Sequence, residues 1–204
     1  MKKLILFTII FVIGCEDSNN HNENHNSNLL FVSSEGTYGN GDGSISVFYD
    51  NEMIQTVEEV GDVVQSLIVN NDHLFVVINN SHKIKRYTIT ESGLNLPGID
   101  IETSNSSPRE MVIVDDKLYF TNWNSRDVKV LDLVTYSIVS AITLDGVPED
   151  IVSDGDFLWV SIPMLELYDG NNGSSVLKID IESESIVATY EVGRGPEHML
   201  IEND

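Results

Sequence analysis

Pro108-Arg109-Glu110-Met111, Pro148-Glu149-Asp150-Ile151 and Pro196-Glu197-His198-Met199 are copies of one phrase, set 40 and 48 residues apart. Val64-Gln65-Ser66-Leu67 is an earlier copy without the proline, ending 44 residues before Met111. An acidic turn and an aromatic-rich run follow three of them: Asp72-His73-Leu74-Phe75-Val76, Asp116-Lys117-Leu118-Tyr119-Phe120 and Asp156-Phe157-Leu158-Trp159-Val160. Two units continue through Val130 to Thr135 and Lys178 to Ser183, each with an Asp placed to accept a backbone N–H at the corner. A last run follows, Ile138 to Leu144 and Ile186 to Val192. Four short strands per unit at this period are the signature of a β-propeller blade.

Working outward, Val128-Lys129-Val130-Leu131 and Val176-Leu177-Lys178-Ile179 carry apolar residues on both faces, as strands do when their sheet is covered on both sides. No stretch holds a 3.6-residue apolar period with caps, so the chain reads as all-β. A β-sandwich accounts for short strands but not for the repeat. Leu29 to Ser33, Ile45 to Asp50 and Met53 to Val57 add three strands before the full units, and His198 to Glu202 adds one after them. The expected total is sixteen strands, about four blade equivalents. Either His198 to Glu202 closes a four-bladed ring, or these blades open a larger one; the second reading is preferred.

The 204 residues hold 33 acidic and 11 basic side chains, a net charge of −22 that would repel a phosphate backbone and excludes nucleic acid as a partner. Lys2-Lys3, the apolar run Leu4 to Ile13 and Gly14-Cys15 form a secretory signal, too short for a resident span of about 20 residues. Cys15 is the sole cysteine, so an intrachain disulfide is excluded. Residues 1–14 read as signal peptide, 15–28 as a lipidated cysteine with a polar tether, and 29–204 as propeller repeats. His21 and His25, inside that tether, read as spacer.

Two resemblances follow from these residues. Val12-Ile13-Gly14-Cys15 resembles the lipobox of bacterial lipoproteins, and Glu16-Asp17 resembles the surface-export signal of Bacteroidota. The repeat phrases, with Val192-Gly193-Arg194-Gly195-Pro196, resemble YVTN/YncE-type propellers; Ser34-Glu35-Gly36 through Ser44-Ile45-Ser46 resembles the opening of a Bacteroidota surface-lipoprotein branch. That branch usually has Asn where Ser34 stands. The resemblance implies a seven-bladed ring of which this would be the N-terminal part, held by lipid at the outer-membrane surface. It also implies, for some members, capture of cobalamin or siderophores for a TonB-dependent transporter.

Propeller ligands bind where inter-blade and second-to-third-strand loops meet. Repeat position places Gln65, Arg109, Glu110, Glu149, Asp150, Glu197 and His198 in the first set of loops. Glu35, Tyr38, Asn80, His82, Asn122, Trp123, Met164 and Tyr168 fall in the second. Aromatics, amides and one Arg suit a medium-sized polar ligand. Glu110 and Asp150 read equally as turn-holding residues. Asp169-Gly170-Asn171-Asn172-Gly173 lacks EF-hand spacing and reads as a plain loop, so no metal or cofactor is expected. There is no G-x-S-x-G, H-E-x-x-H or C-x-x-C, and the expectation is a binder rather than an enzyme. The alternatives are a module adhering to protein or glycan, and a metal-dependent lyase using Glu197-His198.

Overall fold

Each repeat folds into one antiparallel sheet because its hairpins are short and its strands alternate. The computed structural model describes residues 29–202. The expected signal peptide, lipidation at Cys15 and tether fall on residues outside the described ones. Among those described there are fifteen strands and no helix. The first sheet has three strands, β1 (Leu29–Ser34), β2 (Gly43–Tyr49) and β3 (Glu52–Gly61). The second holds β4 (Val64–Asn70), β5 (His73–Ile78), β6 (Lys83–Thr90) and β7 (Gly93–Glu102). The third holds β8 (Pro108–Val114), β9 (Lys117–Asn122), β10 (Asp127–Asp132) and β11 (Ser137–Thr143). The fourth holds β12 (Ile151–Ser153), β13 (Phe157–Ile162), β14 (Ser175–Asp180) and β15 (Ser185–Glu191). These are propeller blades, about four in all.

The expected sixteenth strand is a correction: residues 198–202 form none, and the first sheet lacks the innermost strand that β4, β8 and β12 supply in the others. An innermost strand gains its ladder from the strand that follows it, and none follows among the described residues. The expected corners are present. Asp132 Oδ1 accepts the N–H groups of Val134 at 3.1 Å and Thr135 at 2.7 Å, and Asp180 Oδ1 accepts that of Ser183 at 2.9 Å.

Apolar residues fill three layers between successive sheets. Leu74, Val76 and Ile78 of β5 pack with Ile45, Val47 and Val57 of the first sheet. Phe75 and Val77, on the other face of β5, pack with Met111, Leu118 and Phe120 of the third. Tyr119, Val128 and Val130 meet Leu158, Val160 and Ile162 of the fourth. The period-2 alternation of a strand thus splits β5 and β9 between two cores each.

Hydroxyls stitch the inner ends. Thr121 Oγ1 accepts from Glu110 N at 3.1 Å and donates to the Glu149 carbonyl of the next sheet at 2.7 Å. Ser161 repeats this, accepting from Asp150 N at 3.0 Å and donating to Glu197 O at 3.4 Å. The second sheet has Val77 at that position and uses other groups: Asn79 Nδ2 donates to Pro108 O at 2.9 Å and Ser66 Oγ to Arg109 O at 2.8 Å.

Two isosteric changes separate these contributions. Thr121→Val leaves Glu110 N–H and Glu149 C=O without a partner in a buried site and should cost about 2 kcal/mol in urea unfolding. Tyr119→Phe should be neutral or stabilising by up to about 1 kcal/mol, because the buried Tyr119 hydroxyl has no hydrogen-bond partner.

Candidate functional site

The strand register decides which loops meet. Val64 lies opposite Ile78, Pro108 opposite Asn122 and Ile151 opposite Val160. Inter-blade loops and second-to-third-strand loops therefore open at one end of the stack, as the repeat implied.

At that end Arg109 leaves the start of β8 and crosses to the next sheet. Its Nε donates to both carboxylate oxygens of Glu149, at 3.1 and 3.2 Å, and its Nη2 lies 2.5 Å from Oε1. Its Nη1 donates to Gln65 Oε1 at 2.6 Å, so one guanidinium joins three repeats. Trp123 Nε1 donates to Glu149 Oε2 at 2.9 Å, and the guanidinium carbon sits 4.1 Å from the Trp123 ring centre. Tyr168 meets Trp123 edge-on, with centroids 6.2 Å apart. A recess of about 320 Å³ opens among Arg109, Trp123, Glu149, Pro163, Met164, Tyr168, Gly170, Asn171 and Glu197.

A larger recess of about 380 Å³ lies between Leu30, Phe48, Asp50 and Asn51. It sits on the uncovered face of the first sheet, and its polar lining comes from the single turn Asp50-Asn51. The smaller one is the built site: its walls are aromatic, and its floor is a buried ion pair whose donors are mutually fixed. Such a site holds a ring by stacking and orients it with a few hydrogen bonds.

The carboxylates around it are unequal. Burial pushes the Glu110 carboxyl above its usual range; the Gln65 hydrogen bond opposes this, the nearby Asp150 and Glu149 add to it, and Arg109 opposes it. Asp150 Oδ2 accepts the N–H of Met199 at 2.5 Å, holding the next inter-blade segment in place. Glu197 Oε1 accepts from Asn171 Nδ2 at 3.4 Å.

Of the residues singled out by repeat position, Arg109, Trp123, Glu149, Met164, Tyr168 and Glu197 come together at the recess. Gln65, Glu110 and Asp150 form its supporting layer. His198 is exposed. Asn122 leaves no atom for a ligand: it is fully buried and bonded to Ser106, Phe120 and Asp127. His82 is turned to structure, its Nδ1 accepting from Ser107 N at 3.1 Å and its carbonyl from Thr103 N at 3.0 Å. Glu35, Tyr38 and Asn80 lie at an earlier junction, where Asp62 binds Gly39 N at 3.0 Å and the Asn80 amide.

Asn171 and Asp62 were not among the expected residues. The loop over 163–174 is much longer than its counterparts over 79–82 and 123–126, and that length was the available signal for Asn171. Arg194 fixes this loop by donating to Asn171 O at 2.8 Å and Gly170 O at 2.6 Å. Within it Asp169 accepts from Leu165 N at 2.9 Å and Asn172 N at 3.1 Å, as a self-capped loop does. Asp62 aligns with Ser106 and Gly146 of later repeats, so no repeat position marks it.

No protein-family model matches the chain, and no curated protein matches it. Among solved structures it is similar to the hydrazine synthase of Kuenenia stuttgartiensis, with TM-score 0.63 and 17% identity over 76% of this chain and 44% of that one. The WD40 domain of Neurospora crassa Pan2 gives TM-score 0.58 and 12% identity over 80% and 46%. A functionally unknown protein of Desulfotomaculum acetoxidans gives 0.61 and 15% over 82% and 54%. The chain spans about half the length of the solved structures it matches. At these identities the likeness shows the propeller fold alone.

Two carboxylate variants test the arrangement. Glu149→Ala strands Arg109 and the Trp123 N–H in a largely buried site and should cost about 3 kcal/mol in chemical unfolding. Glu110→Gln should act in the opposite direction. The folded state favours the neutral form of Glu110, so stability falls as pH rises through the window between its ordinary and raised values. The variant should melt higher than the parent at neutral pH, and the difference should vanish below about pH 4.

Proposed function

We propose that this chain is a lipoprotein of the bacterial outer-membrane surface, anchored through Cys15, whose propeller is a binding module for a small ligand. The recess floored by Arg109–Glu149 and walled by Trp123 and Tyr168 carries the reading. Its polar groups are mutually satisfied and rigid, which suits recognition of a preformed polar ring system. The resemblance to YVTN/YncE-type surface propellers supports a corrinoid or siderophore as ligand and a TonB-dependent transporter as the partner that receives it. Neither a metal nor a cofactor enters this reading, and the chain acts as a binder rather than an enzyme.

Tyr168 is 83% exposed, so its truncation should spare the fold. Calorimetric titration with corrinoids, siderophores and sugars should find one saturable ligand, with affinity about tenfold weaker in Tyr168→Ala and Trp123→Ala. No saturable binding across the three classes would remove the small-ligand reading and favour adhesion to protein or glycan. Separately, Cys15→Ser should abolish incorporation of labelled palmitate in a bacterial host; retained label would remove the anchor.

A further inference from the structure

We infer that the junction between the third and fourth sheets holds a second binding site, for a small aliphatic amine whose short chain ends in a hydroxyl. It lies among the β8–β9, β10–β11 and β14–β15 turns, at the end of the stack opposite the Arg109–Glu149 recess, and stands apart from that recess.

One hydroxyl there is unserved. Register places Tyr119 where Phe75 stands in the second sheet and Trp159 in the fourth, on the trailing face, turned away from the preceding sheet. Phe75 fills that position with carbon alone. Trp159, across the ladder from Lys178, donates its Nε1 to Asp154 Oδ2 at 2.9 Å. The third sheet has Val114 where Asp154 stands, so that acceptor is missing for Tyr119. The Tyr119 side chain is fully buried, and among the described residues its hydroxyl has no hydrogen-bond partner. A buried hydroxyl left this way is a cost that a bound partner removes.

The Tyr119 ring lines a recess of about 200 Å³, room for a small organic molecule rather than a single water. Its walls are layered. Asp115 and Asp116, both exposed, stand at the mouth. Val114 and Ile181, half-buried and packed on the core, form an apolar middle. Lys117 and Asp132 face each other across the β9–β10 ladder, and the Lys117 charge helps hold the Asp132 carboxyl below its usual range after the Thr135 and Val134 hydrogen bonds. Asp115 and Asp116 form no ion pair among the described residues, so the mouth is negative. Burial first, then the charges of Glu184 and Asp115, raise the Tyr119 hydroxyl above its usual range, so it stays protonated.

From mouth to floor these layers match an ammonium, a short carbon chain and a hydroxyl that exchanges a hydrogen bond with Tyr119. A bare metal ion does not match them: among the described residues no three carboxylates or histidines are placed to hold one. An anion would meet the carboxylates first.

The test is NMR titration of the purified protein with propanolamine, with butylamine, which has a methyl for the hydroxyl, and with butanol, which has a methyl for the ammonium. The amide signals of Asp115, Asp116 and Leu133 should saturate with propanolamine, and both analogues should bind about tenfold more weakly. Tyr119→Phe should weaken propanolamine about tenfold and leave butylamine unchanged, because the lost oxygen serves only the hydroxyl. Asp115→Asn combined with Asp116→Asn should weaken both amines and leave butanol unchanged. Far-UV circular dichroism should be the same throughout, and a probe that each variant still binds equally well keeps loss of fold from imitating the result. No saturation, equal binding of propanolamine and butylamine, indifference to either variant, or an equal loss of both amines in Tyr119→Phe would each overturn the inference.

Discussion

The central strands of the second and third sheets are buried on both faces, and the rest of the molecule follows from that constraint. β5 gives Leu74, Val76 and Ile78 to one core and Phe75 and Val77 to another, so the second and third sheets have no solvent face on which to rest alone. A strand built this way is stable only between neighbours. Stacking is therefore a condition of folding, and each blade shapes the next through the side chains it sends across.

The candidate site is an outgrowth of the same stacking. Arg109, Glu149 and Gln65 come from three different repeats, yet their hydrogen bonds form one network. The desolvated guanidinium is tolerable because a carboxylate, an amide and an aromatic face meet it together. Trp123 inherits its position from β9, whose spacing is set by the cores beneath, while Tyr168 is carried by the 163–174 loop that Arg194 and Asp169 fix. The geometry of the recess floor and the packing of the blades are thus set by the same residues.

Much of this was legible in the repeat. Proline-led phrases marked the inner strands, runs apolar on both faces marked the central strands, and Asp132 and Asp180 marked the corners. Asn122 was misleading because it is a polar residue in a place held by Ser34, Ile78 and Ile162 in the other units, and its amide turns inward to bonds that repeat position does not reveal. His82 adopts a left-handed backbone, φ 54°, and its ring caps a neighbouring loop. The segment after Pro196 has the composition of a strand, but a ladder also needs a partner. Asp62 became visible only when loops from different units were brought together, whereas Asn171 was signalled by the length of its loop.

Lys178 lies with its ammonium 3.6 Å from the ring centre of Phe157 and 5.0 Å from that of Trp159, on the trailing face. Trp159 in turn stacks on Tyr190 at 5.6 Å. A cation spread over this aromatic surface keeps it wetted, because anything that covers it must first replace the water around the charge. The face therefore discriminates: a purely greasy segment gains little there, whereas a surface bearing an acceptor for the ammonium gains both contact and charge. Lys178 acts as a gatekeeper, marking an aromatic face against indiscriminate apolar contact.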